Sequence, residues 1–234
     1  MLEATSWSKL GQVPILGPLF KFVRRRLAAR SFAGSETYWQ QRYEAGRNSG
    51  AGSYGELASY KAEYLNRFVA EQTIADVIEF GCGDGNQLGL ARYPAYLGFD
   101  VSARALALCG EKFGGDPSKR FRGMDEYAGE RAELTLSLDV VYHLVEDPVF
   151  EAYMQRLFDA ASRFVVVFSS NREENTWGRV AHVRHRRFTD WVERQRPGWQ
   201  LLAHEPNPFP YRGETSQGSF ADFHVFAPGS SSSA

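Results

Sequence analysis

The chain has 234 residues, 43% hydrophobic and 24% charged, which suits one globular domain with its own core and excludes a disordered or fibrous chain. Its 27 Lys and Arg against 28 Asp and Glu leave a formal charge of -1, so charge gives no ground for a nucleic-acid partner. The two cysteines, Cys82 and Cys109, stand in no metal-ligand or disulfide spacing, which fits a reducing compartment. With no signal peptide visible, a soluble cytoplasmic protein is expected.

Residues 1–34 read as an extension. Leu10 to Phe20 is apolar with Gly and Pro, and Lys21, Arg24, Arg25, Arg26 and Arg30 follow. Residues 10–30 thus form a short basic amphipathic segment of the kind that rests on an anionic membrane or a partner, or packs on its own domain. Two helices are predicted next, Ser35–Ala45 and Glu56–Gln72, joined by a loop rich in Gly and Ser; the second repeats apolar residues at helical spacing, from Leu57 to Phe68. Strands are predicted at Ala75–Phe80, Ala95–Asp100, Lys119–Arg122, Glu133–Asp139 and the continuously apolar Phe164–Phe168. Helices are predicted at Ala103–Phe113, Pro148–Ala160 and Thr189–Arg196, and one directly after the glycine cluster that follows Phe80. Two more strands, Trp199–His204 and Ser219–Phe226, complete the domain at residues 35–228, and 229–234 read as a flexible tail. Alternating strands and helices argue for an α/β fold with a mostly parallel sheet.

The most informative stretch is Val77-Ile-Glu79-Phe-Gly81-Cys82-Gly83-Asp84-Gly85-Asn86-Gln87. Closely spaced glycines at a strand end let the backbone turn sharply and approach a ligand without Cβ clashes. The dinucleotide fingerprint needs glycine where Asn86 stands, which argues against a nicotinamide oxidoreductase. Asp100 ends the second strand about twenty residues on, where a carboxylate accepts hydrogen bonds from ribose hydroxyls. Met124 and Asp125, after the third strand, are placed to frame an adenine. The three features together fit an adenosyl ligand without a pyrophosphate. Asp84 has two roles open to it, helix cap or ligand contact.

From Ile74 to Phe226 the chain resembles the class I S-adenosylmethionine-dependent methyltransferases. The resemblance implies a Rossmann-like, seven-stranded, mostly parallel sheet with an antiparallel last strand, and S-adenosyl-L-methionine as cofactor. It implies Glu79, Gly81, Cys82, Gly83, Asp84 and Gln87 at the methionine end, and Asp100, Val101 and Ser102 at the ribose. Met124 and Asp125 would flank the adenine, with Leu138 and Asp139 closing the site. The upstream residues Tyr38-Trp39, Arg42-Tyr43 and Ser49 to Gly55 resemble a bacterial subgroup associated with glycan and natural-product gene clusters. There the N-terminal segment folds over the cofactor, which places Tyr38 at the site.

Methyl transfer to an alcohol requires a base to take the proton. His143, beside Tyr142 after the fourth strand, is the first candidate; the other role open to it is to pack against the cofactor. Asp139 would orient His143 or contact the methionine amino group. His182 and His185, read as sharing one helix face, are the second candidates, and they mark no metal site because no third ligand is spaced with them. Tyr142, Trp177, Arg184 and Arg186 are candidate acceptor contacts, the arginines suiting an anionic small molecule or glycan. The expected activity is O-methylation, with N-methylation and a non-catalytic adenosyl-binding protein as alternatives.

Overall fold

The computed structural model describes residues 32–174, 180–213 and 218–229. The basic segment at residues 10–30, Trp177 and nearly all of the tail lie outside the described residues.

Seven strands form one sheet in the order β3-β2-β1-β4-β5-β7-β6. In chain order they are β1 (Asp76–Phe80), β2 (Ala95–Asp100), β3 (Lys119–Gly123), β4 (Ala132–Leu138), β5 (Ala161–Ser169), β6 (Trp199–Glu205) and β7 (Asp222–Pro228). The first five run parallel, and β7 pairs antiparallel with both β5 and β6. The expected α/β, Rossmann-like sheet is therefore present, with its antiparallel strand inserted beside β5. Among the described residues no helix is long and apolar enough to cross a membrane.

Strand alternation divides the core into two layers. Ile78, Phe80, Val165 and Val167 face α4 (Asp147–Asp159) and α5 (Phe188–Gln195), where Met154, Leu157, Phe158 and Trp191 meet them. Val77, Leu134, Leu136, Val166 and Phe168 face the other layer, with Leu65 and Val69 of α2 (Gly55–Glu71) and Cys109 of α3 (Ala103–Phe113). The continuous Val-Val-Val run of β5 is buried on both faces, the condition under which a strand loses polar alternation. α1 (Ser35–Glu44) lies N-terminal to this frame.

Two sequence expectations are corrected. No α-helix follows the glycine cluster: only a short 3-10 turn, Leu88–Leu90, separates it from β2. With Gly89 and Pro94 in a fourteen-residue connection, a helix has neither the length nor the residues to propagate. Residues 182–185 are likewise not helical but lie in a turn and extended chain before α5, so His182 and His185 share no helix face.

Candidate functional site

All the parallel strands point their C-terminal ends at one edge, where open α/β sheets place ligands. A cavity of about 790 Å³ opens there, within the size range of small-molecule sites. Its floor is the turn after β1. Gly81 (φ 83°) and Gly83 (φ 60°) both take left-handed conformations. A side chain at Gly81 would strike Val140, and one at Gly83 would strike Ser49 Oγ and Tyr43 OH. The turn is pinned to β2, because the amides of Gly81 and Cys82 both donate to Phe99 O, at 2.7 and 3.0 Å.

Asp100 ends β2 at the cavity. Its Oδ2 accepts from Gly83 N and its Oδ1 from Ser102 N, both at 2.9 Å. Burial pushes its carboxyl up to about 6, against the lowering pull of these amides. Ser102 does not line the cavity but caps α3, accepting from Ala105 N. Glu79 is buried on the facing wall and accepts from Tyr96 OH at 2.7 Å. Burial pushes it up to about 7. Gln87 donates from Nε2 to Ala58 O at 3.0 Å, and its Oε1 is a buried acceptor with no hydrogen-bond partner among the described residues. Gly81, Cys82, Gly83, Val101, Met124, Asp125, Leu138 and Asp139 all border the same space.

The segment before β1 supplies the opposite wall, where Ser35, Trp39 and Tyr43 face the cavity. Asp84 fastens this wall and does not border the cavity. Its Oδ2 accepts from Ser49 N (3.0 Å) and Tyr54 OH (2.8 Å), while its Oδ1 accepts from Asn86 N (3.0 Å). Ser35 bonds Glu146 through its amide and its hydroxyl, and its Oγ accepts from Val145 N at 2.9 Å. Tyr38 also stands away from the cavity, stacked on the His182 ring at 4.1 Å.

The structure adds one residue that sequence reasoning passed over. Lys61 of α2 is fully buried, and its Nζ donates to Asp139 Oδ2 at 2.6 Å. Asp139 itself is left-handed (φ 61°), and its Oδ1 accepts from Tyr142 OH at 2.8 Å. The signal was present: Lys61 sits four residues from both Leu57 and Leu65, a charge inside the apolar stripe of α2.

His143 lines the cavity and stacks on Trp39 edge to face, with centroids 4.9 Å apart. Its Nδ1 lies 2.8 Å from His182 O. A carbonyl only accepts, so Nδ1 carries the proton and Nε2 keeps its lone pair. Burial pulls this histidine down to about 4, and the bond to His182 only partly offsets that. His182 backs His143, with ring centroids 5.4 Å apart, and its Nε2 shares a hydrogen bond with Tyr38 OH. His185 is buried farther off, its Nδ1 2.7 Å from Ser170 Oγ.

The two arginines expected to bind an anion have partners on the turn into α4. Arg184 donates to Val145 O and pairs with Asp147, both at 2.9 Å. Arg186 bonds Leu144 O, Val145 O and Asp147, and its guanidinium lies 4.7 Å over the Phe150 ring. Both hold the turn into α4, and neither borders the cavity. Among the described residues no group of histidine, cysteine and acidic side chains is arranged to hold a metal ion.

The histidines make a pH prediction. Burial pulls His143, His182, His185 and His224 each down to about 4. The folded chain binds these protons more weakly than the unfolded chain, so their stabilising effect is complete above about pH 6.5 and is lost as pH falls toward 4. Glu79 and Asp100 act in the opposite sense: their raised values favour the folded state in acid, and that is lost as pH rises through about 6 and 7. Four groups outweigh two, so the urea midpoint is expected to be lower at about pH 4.5 than at about pH 6.5. An equal or higher midpoint in acid contradicts this.

No family model matches the sequence, and no curated protein matches it. Solved structures do. The magnesium protoporphyrin IX methyltransferase ChlM of Synechocystis PCC 6803, with bound S-adenosylhomocysteine, superposes with a TM-score of 0.61 at 13% identity. That match covers 89% of this chain and 100% of that one. The methyltransferase domain of the bacterial protein CtHen1-C gives 0.58 at 18% identity, covering 74% and 100%. The N-methyltransferase NodS of Bradyrhizobium japonicum WM9, with bound S-adenosylhomocysteine, gives 0.55 at 13%, covering 73% and 85%. At such identities the likeness is one of fold: the chain has the fold of the class I methyltransferases.

Proposed function

We propose that this protein is an S-adenosylmethionine-dependent methyltransferase acting on a hydroxyl of a small molecule or sugar, with His143 as general base. The residues present fit the cofactor. The orphaned acceptor Gln87 Oε1 calls for a donor such as the methionyl ammonium, and Glu79 shares that wall. Each Asp100 oxygen carries one backbone hydrogen bond and keeps a lone pair for a ribose hydroxyl. Val101, Met124 and Asp125 border the cavity, and the adenine would lie against them. Bound there, the cofactor supplies an electrophilic methyl group on a sulfonium.

The chain's own part is to position the acceptor, exclude water and take a proton. The observation that carries the oxygen reading is the tautomer of His143. An imidazole with Nδ1–H given to a main-chain carbonyl keeps Nε2 as its basic nitrogen, and His143 borders the cavity. As the acceptor oxygen gains its methyl group, Nε2 receives the hydroxyl proton. Asp139, gripped by Lys61 and Tyr142, fixes the loop that bears His143.

The test is transfer of a radiolabelled methyl group from S-adenosylmethionine to parallel panels of sugars, phenols and primary amines. Label in the hydroxyl panels supports the reading. Label in the amines alone replaces it with N-methylation, and none in any panel leaves an adenosyl-binding protein.

A further inference from the structure

A second, smaller cavity of about 230 Å³ lies at the same edge of the sheet, between the chain leaving β5 and the β6–β7 connection. Its lining includes Arg172, Asn207, Tyr211, Ser219 and Phe220. We propose that the guanidinium of Arg172 in this cavity binds a carboxylate or phosphate carried by the methyl acceptor. The inference rests on the methyl-transfer reading and names the substrate class for it.

The argument begins with hydrogen-bond satisfaction. Nε and Nη2 of Arg172 are both buried from solvent, and neither has a hydrogen-bond partner among the described residues. Buried guanidinium nitrogens are very seldom left bare, because each loses its hydration with nothing in return. Arg186 and Arg196 also have a bare Nε, but their Nη atoms are bonded: Arg186 to Val145 O and Asp147, Arg196 to Gln155 O and Asp159. In Arg172 the bare atoms are Nε and Nη2, one edge of the planar fork, and that edge matches the two oxygens of a carboxylate or phosphate.

The described residues around the fork include an aromatic ring and one carboxylate. The guanidinium carbon lies 5.5 Å from the centroid of the Phe220 ring, a cation–π contact. Asp222 also borders the cavity, but its oxygens are used by Asn207 N at 2.8 Å and His204 Nε2 at 3.2 Å. His185, its ring 4.6 Å from Phe220, is kept neutral by burial and by the charge of Arg172. Phe220 then meets the Tyr142 ring at 4.9 Å, and Tyr142 is the partner of Asp139 on the wall of the larger cavity. Arg172, Phe220, Tyr142 and Asp139 are thus in successive contact from the cationic pocket to the wall of the larger cavity.

The test uses inorganic phosphate and acetate as separate probes, titrated at constant ionic strength into the full chain. The shifts of the Arg172 Nε–H and Phe220 amide resonances are followed. A saturable shift in the low millimolar range is expected with at least one probe. It should be lost in Arg172→Gln and partly retained in Arg172→Lys, which keeps the charge without the fork. Saturation by phosphate alone assigns a phosphorylated acceptor, and by acetate alone a carboxylated one. Shifts that do not saturate, or that persist in Arg172→Gln, overturn the inference; if Arg172→Gln does not fold, Arg172→Lys and saturation in the wild type decide. A parallel titration with S-adenosylhomocysteine separates the two claims. Binding of S-adenosylhomocysteine without anion saturation refutes the Arg172 site alone, and anion saturation without it refutes the methyl-transfer reading.

Discussion

His143→Ala is expected to lower kcat for a hydroxyl acceptor by about 10²- to 10⁴-fold, the usual contribution of a positioned general base. Binding of S-adenosylhomocysteine should change little, because the groups proposed for the nucleoside and the methionine end sit on β1, the turn after it, β2 and the turns after β2 and β3. Burial pulls His143 down to about 4, so in the wild type it is unprotonated throughout the neutral range. From this group alone, kcat should stay flat between about pH 6 and pH 8. An amine acceptor that arrives unprotonated needs no base, so its rate in His143→Ala should fall far less. A hydroxyl-methylating enzyme with wild-type kcat in this variant contradicts the role given to His143, and His143 is then a packing group between Trp39 and Tyr142.

The second large effect concerns the Lys61–Asp139 pair, whose side chains are 0% and 12% exposed. Asp139→Asn keeps the shape, suits the left-handed backbone and leaves Tyr142 an oxygen to bond, but it strands a fully buried ammonium. Breaking a buried pair in this way costs about 3–5 kcal/mol, chiefly through the uncompensated charge. Lys61→Met removes the cation and leaves Asp139 at the cavity wall with some access to water, so it should cost less. The double variant is expected to be more stable than Asp139→Asn alone, because no lone charge remains; this non-additivity distinguishes a charge effect from lost packing. Urea unfolding of the four proteins measures it, and simple additivity contradicts the account.

The frame of the site was legible because it depends on local chemistry. The glycine run after β1 and the acid closing β2 announce a turn and a carboxylate at fixed places on adjacent strands, and parallel pairing of β1 with β2 brings them together. The triple valine of β5 likewise declares a strand covered on both sides. What could not be read depends on partners distant in sequence. Asp84 looks like a ligand until Ser49 and Tyr54 are found on its carboxylate. Arg184 and Arg186 look like an anion clamp from sequence, whereas the fold gives them carbonyl partners some forty residues away. Arg172 stands in the same arginine-rich stretch, and only the fold separates its two nitrogens, bare among the described residues, from the bonded ones of its neighbours. Lys61 was the exception, since a lysine within a buried helical stripe carries its own warning.

The claim on which the rest depends is that the larger cavity takes an adenosyl ligand. The direct measurement is calorimetric titration of the wild type and Asp100→Ala with S-adenosylmethionine, S-adenosylhomocysteine and NAD. The account predicts binding of the first two, weakened roughly 10- to 100-fold in the variant by loss of hydrogen bonds to a charged group, and no heat with NAD. Silence with both adenosyl ligands, or tighter binding of NAD, would contradict it.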